Sequence, residues 1–233
     1  MATILLTGAS RGIGAAARTA LTAAGHNVIG QSTAGGDGLI AADFAQPRSA
    51  DALWDEALDR AGGRIDVLVN NAGVFEAAAI EDGDGFAATW ARSLAINLQS
   101  AADLCRHAVL HFQHNGGGRI INVASRAGHR GDSPKHWHYA AAKGGMLALT
   151  KTISRGYAAQ NILAFAITPG FTMTGMAEDY LASRGGDKLL ADIPLGRVAT
   201  PDEVAEMIRW LASEAPASMT GATLDINGAS YVR

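Results

Sequence analysis

The stretch "TILLTGASRGIG" occupies residues 3–14. Its first half is a short apolar run rich in residues that suit a buried strand. Its second half sets Gly8, Gly12 and Gly14 in a G-x-x-x-G-x-G spacing, followed by the alanine-rich helical pattern "IGAAARTALTAAG". Strand, glycine turn, helix is the order of a phosphate-binding turn. Glycine permits the sharp bend and lets backbone N–H groups approach a pyrophosphate at the helix N-terminus. A purely structural turn has the same glycines, so the rest of the chain has to discriminate.

Working outward, apolar runs alternate with helical patterns along all 233 residues. Strands are expected within 3–8, 26–32, 38–44, 65–73, 116–125, 161–170 and 221–228. Helices are expected over 13–25, 49–62, 84–113, 139–160 and 200–213, the last with Thr200 as N-cap and Pro201 at the first helical position. Continuous apolar strands alternating with helices predict an α/β fold: a doubly wound, parallel, Rossmann-like sheet of about seven strands with helices on both faces. No linker or repeat divides it, so one domain over 1–233 is expected. The long stretch 171–199 follows the sixth strand, where a flap over a ligand site is the natural expectation.

The bulk numbers narrow the classes. Hydrophobic residues are 48% and charged residues 18%, with 28 glycines, a globular composition with many tight turns. A net charge of -3 gives no electrostatic case for nucleic acid. The single cysteine, Cys105, forbids an intrachain disulfide and is expected to be a buried, inert thiol. No leader and no membrane-length apolar run is seen, so a soluble cytoplasmic protein is expected.

"YAAAK" at 139–143 places Tyr139 and Lys143 at i and i+4 on one helix face, above small alanines. An ammonium beside a phenol lowers the phenol's pKa, which makes Tyr139 a candidate proton donor or acceptor. An ordinary helix surface is the alternative.

Six motifs then appear in order: "TGASRGIG" (7–14), "NNAG" (70–73), "AIN" (95–97), "NVAS" (122–125), "YAAAK" and "PGFTMT" (169–174). With them the whole chain resembles the short-chain dehydrogenase/reductase family, and is similar in overall look to its 3-oxoacyl-carrier-protein reductases. The resemblance implies hydride transfer between a nicotinamide dinucleotide and a carbonyl/alcohol pair, in a homodimer or homotetramer. It implies a catalytic tetrad of Ser125, Tyr139, Lys143 and Asn97, with Asn97 holding a water. It implies cofactor contacts from Gly8, Ser10, Arg11, Gly12, Ile13 and Gly14, and from Asp43 and Phe44 at the adenine. Further contacts are implied for Asn70, Asn71, Ala72 and Gly73, for Tyr139 and Lys143 at the ribose, and for Pro169, Gly170, Thr172 and Thr174 at the nicotinamide.

No acid stands at the end of the second strand, where Ser32 falls between Gln31 and Thr33. With Arg11 in the turn this favours NADP(H). Asp37, two glycines further on, keeps NAD(H) as the alternative. The segment 125–139 is rich in cationic and imidazole groups, and Arg126, Arg130 and His136 are candidate contacts to a polar or anionic substrate. Salt bridging to acidic neighbours or a subunit contact is the competing reading. His107 and His111 have the spacing of a helical metal pair but lack a third ligand, so no metal is expected. A dinucleotide sensor without turnover is the alternative from another functional class, and the intact tetrad speaks against it.

Overall fold

The computed structural model of the chain describes residues 1–174 and 186–233. Seven strands form one sheet: β1 (Thr3–Leu6), β2 (Asn27–Ser32), β3 (Ile40–Ala41), β4 (Val67–Asn70), β5 (Gly118–Val123), β6 (Ile162–Pro169) and β7 (Thr223–Ile226). Their order is β3-β2-β1-β4-β5-β6-β7, and every pairing is parallel. All carboxyl ends therefore lie along one edge. From β1 the chain winds outward to β3, then returns to β4 on the other side. That reversal opens a crevice beyond the ends of β1 and β4.

The strands read as continuous apolar runs because both faces are covered. All eight residues of β6 are buried. On one face, α1 (Gly12–Ala23) and the later helix Pro201–Ser213 pack against each other and the sheet around Leu6, Leu21, Phe165 and Ile208. On the other, α2 (Ser49–Arg60), α4 (Ser100–His114) and α6 (Trp137–Tyr157) enclose Leu5, Trp54, Leu104 and Phe112. The remaining α-helices among the described residues are α3 (Gly83–Leu94), the short α5 (Ala127–Arg130) and α7 (Gly186–Ala191). Pro201–Ser213 is accordingly α8. Thr200 caps it in a full capping box with Glu203, as the sequence predicts.

One expectation is refined. The helical region 84–113 is interrupted by a π-helical segment, Ala95–Gln99, between α3 and α4. The segment between β2 and β3 contains no helix. It is a glycine-rich loop with Asp37 at φ 53°, tied down by Arg18 Nη2 on the Asp37 carbonyl (3.0 Å) and Arg60 Nη1 on the Gly38 carbonyl (3.1 Å). Of the expected flap 171–199, residues 175–185 lie outside the described residues. Phe171–Thr174 and the segment from α7 onward are held together by a bridge between Thr172 and Ala199.

Candidate active site

The turn after β1 is built so closely that side chains are excluded. Gly8 has φ 65°, and a Cβ there would fall 2.9 Å from Ala72 Cα; a Cβ on Gly14 would fall 1.9 Å from the Gly8 carbonyl oxygen. Thr7 Oγ1 accepts the amides of Asn71 (2.9 Å) and Ala72 (3.0 Å), while Asn71 Nδ2 donates to the carbonyls of Thr7 (3.0 Å) and Gly8 (3.2 Å). A second strut comes from β2. Buried Gln31 accepts the Gly8 amide through Oε1 (2.9 Å) and donates from Nε2 to the Ala42 carbonyl (2.7 Å). The first turn of α1 carries no acidic residue, and Arg11 at its N-cap makes no side-chain capping bond. The N-terminal amides of α1, beside an exposed arginine, thus meet the requirement of a dinucleotide pyrophosphate.

Facing this turn is a cleft of about 510 Å³. Ser125, Tyr139 and Lys143 line it together with Ile13, Asn71 and Gly73, and Pro169, Gly170, Thr172 and Thr174 form its far wall. Ser125 leaves the end of β5, and its Oγ accepts the Ala127 amide (3.1 Å). The early turns of α6 present Tyr139 and Lys143. Burial pushes the Tyr139 phenol up to about 12; the neighbouring Ser125 hydroxyl acts in the opposite sense and Asp132 adds a smaller push. The expected lowering by Lys143 is therefore reversed. The ammonium of Lys143 lies 5.7 Å from the Tyr139 ring centroid and donates to the Val123 carbonyl at 2.8 Å. Burial pulls Lys143 down to about 8.

Asn97 sits just behind the cleft, in the π segment. Its Nδ2 donates to the Val74 carbonyl (3.0 Å) and Ser93 Oγ (2.9 Å), and its Oδ1 accepts the Val74 amide (2.9 Å). This side chain is occupied in holding residues 73–74. A Cβ on Gly73 would fall 2.8 Å from its Oδ1 and 3.7 Å from Lys143 Nζ. Gly73, Asn97 and Lys143 thus form one packed unit.

Ser32 lies elsewhere than expected. It is buried, and its Oγ turns into the following loop to accept the Gly35 amide (3.0 Å); the neighbouring Thr33 is exposed. Phe44 belongs to the same core cluster as Leu53 and Trp54, and Asp43 Oδ1 accepts the Ala45 amide (3.0 Å). Asn70 points into the sheet interior and donates to Asn122 Oδ1 (2.8 Å) and Cys105 Sγ (3.3 Å). Cys105 is buried, as expected, and its thiol is pushed up to about 12 by desolvation. Ser10 and Arg11 are exposed on the turn.

In the cationic loop, Arg126 and His136 line the cleft and Arg130 does not. Arg130 Nη1 is committed to Asp192 Oδ2 (3.0 Å) and the Ser230 carbonyl (2.9 Å). His136 lies flat on Phe75, with centroids 3.8 Å apart, and its Nδ1 meets Ser133 Oγ at 2.7 Å. Phe75 also packs edge-on against Tyr139 at 4.8 Å and contributes to its burial. Phe75 was missed in the sequence; an aromatic two residues beyond the glycine of "NNAG" was the available signal. His107 Nε2 lies 2.7 Å from Asp51 Oδ1 and its ring stacks on Trp54, while His111 Nε2 accepts the Ile65 amide (3.2 Å). Both histidines serve the α2–α4 contact. No helix among the described residues is long and apolar enough to cross a membrane.

Comparison with known proteins places the chain in a family. A family model described as "Enoyl-(Acyl carrier protein) reductase" matches residues 8–229. The chain is 36% identical over 247 residues to a 3-oxoacyl-(acyl-carrier-protein) reductase of Synechocystis sp., covering 96% of this chain and 94% of that one. It is 34% identical over 244 residues to the 3-oxoacyl-(acyl-carrier-protein) reductase of Vibrio cholerae, covering 98% and 96%. It is also 36% identical over 243 residues to a cis-4-hydroxycyclohexanecarboxylate dehydrogenase of Sinomonas cyclohexanicum, covering 96% and 94%. Fold and site define a Rossmann-like oxidoreductase. The chain belongs to the short-chain dehydrogenase/reductase family, whose members are NAD(P)-dependent enzymes acting on CH–OH groups.

Proposed function

We propose that the protein is an NADP(H)-dependent oxidoreductase interconverting a carbonyl compound and a secondary alcohol, with Tyr139 as the proton donor in reduction. The observation that carries this reading is that Ser125, Tyr139 and Lys143 line one cleft with the glycine-turn residue Ile13 and with Pro169, Gly170, Thr172 and Thr174. A bound nicotinamide supplies hydride to the carbonyl carbon. Ser125 Oγ and the Tyr139 phenol both reach the carbonyl oxygen; Ser125 orients it and stabilises the developing charge. Tyr139 passes its proton to that oxygen as the C–H bond forms, giving the alcohol. The phenol is neutral over the physiological range, so the proton is present when needed. Lys143 supplies a positive charge at the floor of the cleft, where the proton lost from Tyr139 is to be replaced. Asn97 positions Gly73 and Val74 rather than touching substrate.

NADP(H) is favoured over NAD(H) because Thr33 and Arg11 are both exposed beside the turn and no carboxylate stands at the end of β2. The relatives' names cover acyl thioesters and a hydroxylated ring acid, which share a carbonyl or secondary alcohol and a second carbonyl-type group. The decisive experiment follows NADPH consumption with ketones, aldehydes, oxo acids and 3-oxoacyl thioesters, with an enoyl thioester as the control for reduction at carbon–carbon double bonds. Consumption with the enoyl thioester alone would sink the carbonyl assignment. Assembly as a homodimer or homotetramer belongs to the same reading, and light scattering at micromolar concentration tests it; a monomer would refute it.

A further inference from the structure

We infer that Arg126 is the specificity-determining residue of the cleft and grips a carboxylate carried by the substrate. This rests on the carbonyl reduction proposed above and names the substrate class: oxo acids and the matching hydroxy acids.

Arg126 follows Ser125 directly, and its amide donates to the Pro169 carbonyl (3.1 Å), which fixes its backbone between two walls of the cleft. Its side chain is only 11% exposed and lines the cleft beside Ser125 and Tyr139. The guanidinium lies 5.1 Å from the centroid of the Phe171 ring, which holds it in place without using its N–H donors. One of those donors, Nη1, reaches Asp192 Oδ2 at a long 3.4 Å. Nε and Nη2 have no hydrogen-bond partner among the described residues. Asp192 is itself better bonded to Arg130, at 3.0 Å, so one carboxylate serves two cations. Asp132, at the cleft edge, also favours the charged form of Arg126 but makes no hydrogen bond with it.

A buried cation with most of its fork unused is costly unless an acceptor completes it. A planar carboxylate matches that fork with two parallel hydrogen bonds. With the carboxylate on Arg126, the hydrocarbon part of the substrate lies against Phe171 and Val74, and its ketone faces Ser125 and Tyr139. Asp192 becomes the internal competitor for the same guanidinium.

The test compares wild type, Arg126→Ala, Arg126→Lys and Asp192→Asn on 4-oxopentanoate and 4-oxocyclohexanecarboxylate, each with its methyl ester. Steady-state reduction is paired with calorimetric titration of the same compounds. Arg126→Ala should raise KM for the acids about tenfold or more, leave kcat nearly constant and leave the esters unaffected. Arg126→Lys should recover only part of the loss, because a point charge lacks the fork. Asp192→Asn should leave acid binding unchanged or strengthen it by releasing the competitor. Equal losses for acid and ester in Arg126→Ala, an Asp192→Asn variant that behaves like Arg126→Ala, or a wild type that prefers the esters would overturn the inference while leaving carbonyl reduction standing. Absence of turnover with every acid and ester, alongside calorimetric binding of the acids that needs Arg126, would instead strike the reductase reading and keep the carboxylate site.

Discussion

Lys143 donates to the Val123 carbonyl at 2.8 Å, while the Tyr139 ring centre lies 5.7 Å from its ammonium. The lysine is thus anchored to the end of β5, and the tyrosine stands between it and the cleft's aromatic wall. Desolvation acts on both in opposite senses: Tyr139 is pushed up to about 12 and Lys143 down to about 8. Both shifts favour the neutral form.

A stability signature follows from Lys143. Its folded pKa of about 8 lies below the ordinary 10.5, so the unfolded chain holds this proton more tightly. Between these values the Lys143 contribution to stability should rise with pH as the buried cation loses its charge, while above pH 9 the raised Cys105 thiol contributes in the opposite sense with or without Lys143. The full effect is on the order of 3 kcal/mol. Denaturant titrations of wild type and Lys143→Met across that window check it; the variant should lack this rise. Equal slopes in the two proteins would mean that Lys143 is not desolvated.

Tyr139→Phe should reduce turnover by about 10²–10⁴-fold, because the phenol is the proposed proton donor. NADPH affinity, read by fluorescence titration, should change little. A variant that keeps more than a tenth of the wild-type rate would remove Tyr139 from the chemistry.

For cofactor choice, Thr33 is the exposed position and Ser32 is turned inward to cap Gly35. Thr33→Asp should shift preference toward NADH by repelling the 2′-phosphate. Ser32→Asp should mainly lower stability, since its buried hydroxyl ties the loop. Arg11→Ala should raise KM for NADPH about tenfold, the loss of roughly one charged hydrogen bond, with little effect on NADH. Unchanged NADPH/NADH ratios in both Thr33→Asp and Arg11→Ala would move discrimination elsewhere.

Gly14→Ala should nearly abolish dinucleotide binding, since its Cβ would meet the Gly8 carbonyl at 1.9 Å. Circular dichroism separates loss of the turn from loss of the fold. Wild-type affinity in a folded Gly14→Ala protein would show that the turn can widen.

All seven strands and the glycine turn were legible because apolar runs and glycine spacing are local signals. The orientation of Ser32 was not. The last four residues of β2 are all buried, so strand alternation carries no information about which face a side chain takes. The π segment at 95–99 was also hidden: "AINLQ" contains neither glycine nor proline. Asn97 there is bonded to a distant partner, Val74, which no local pattern announces. Gln31 was noted only as a non-acidic neighbour of Ser32; that its amide bridges Gly8 and Ala42 depends on three strands meeting. Arg126 and Arg130 looked alike in sequence, and only Asp192 and Ser230 separate them, by engaging Arg130 more fully.

The brace between Thr7 and residues 71–72 has a consequence for synthesis of the chain. The turn at 7–14 leaves the ribosome about sixty residues ahead of Asn71 and Ala72, whose amides bond its Thr7 hydroxyl. β1 also lies between β2 and β4, and β4 spans Val67–Asn70. A nascent chain that has exposed only its first βαβ unit therefore presents the glycines without the scaffold that shapes them. Competence to hold a nucleotide arrives abruptly, when β4 docks beside β1. Pairings of such sequence separation form slowly compared with local helices. A dinucleotide present at that moment would act as a folding ligand, drawing the equilibrium toward the docked state in proportion to its concentration.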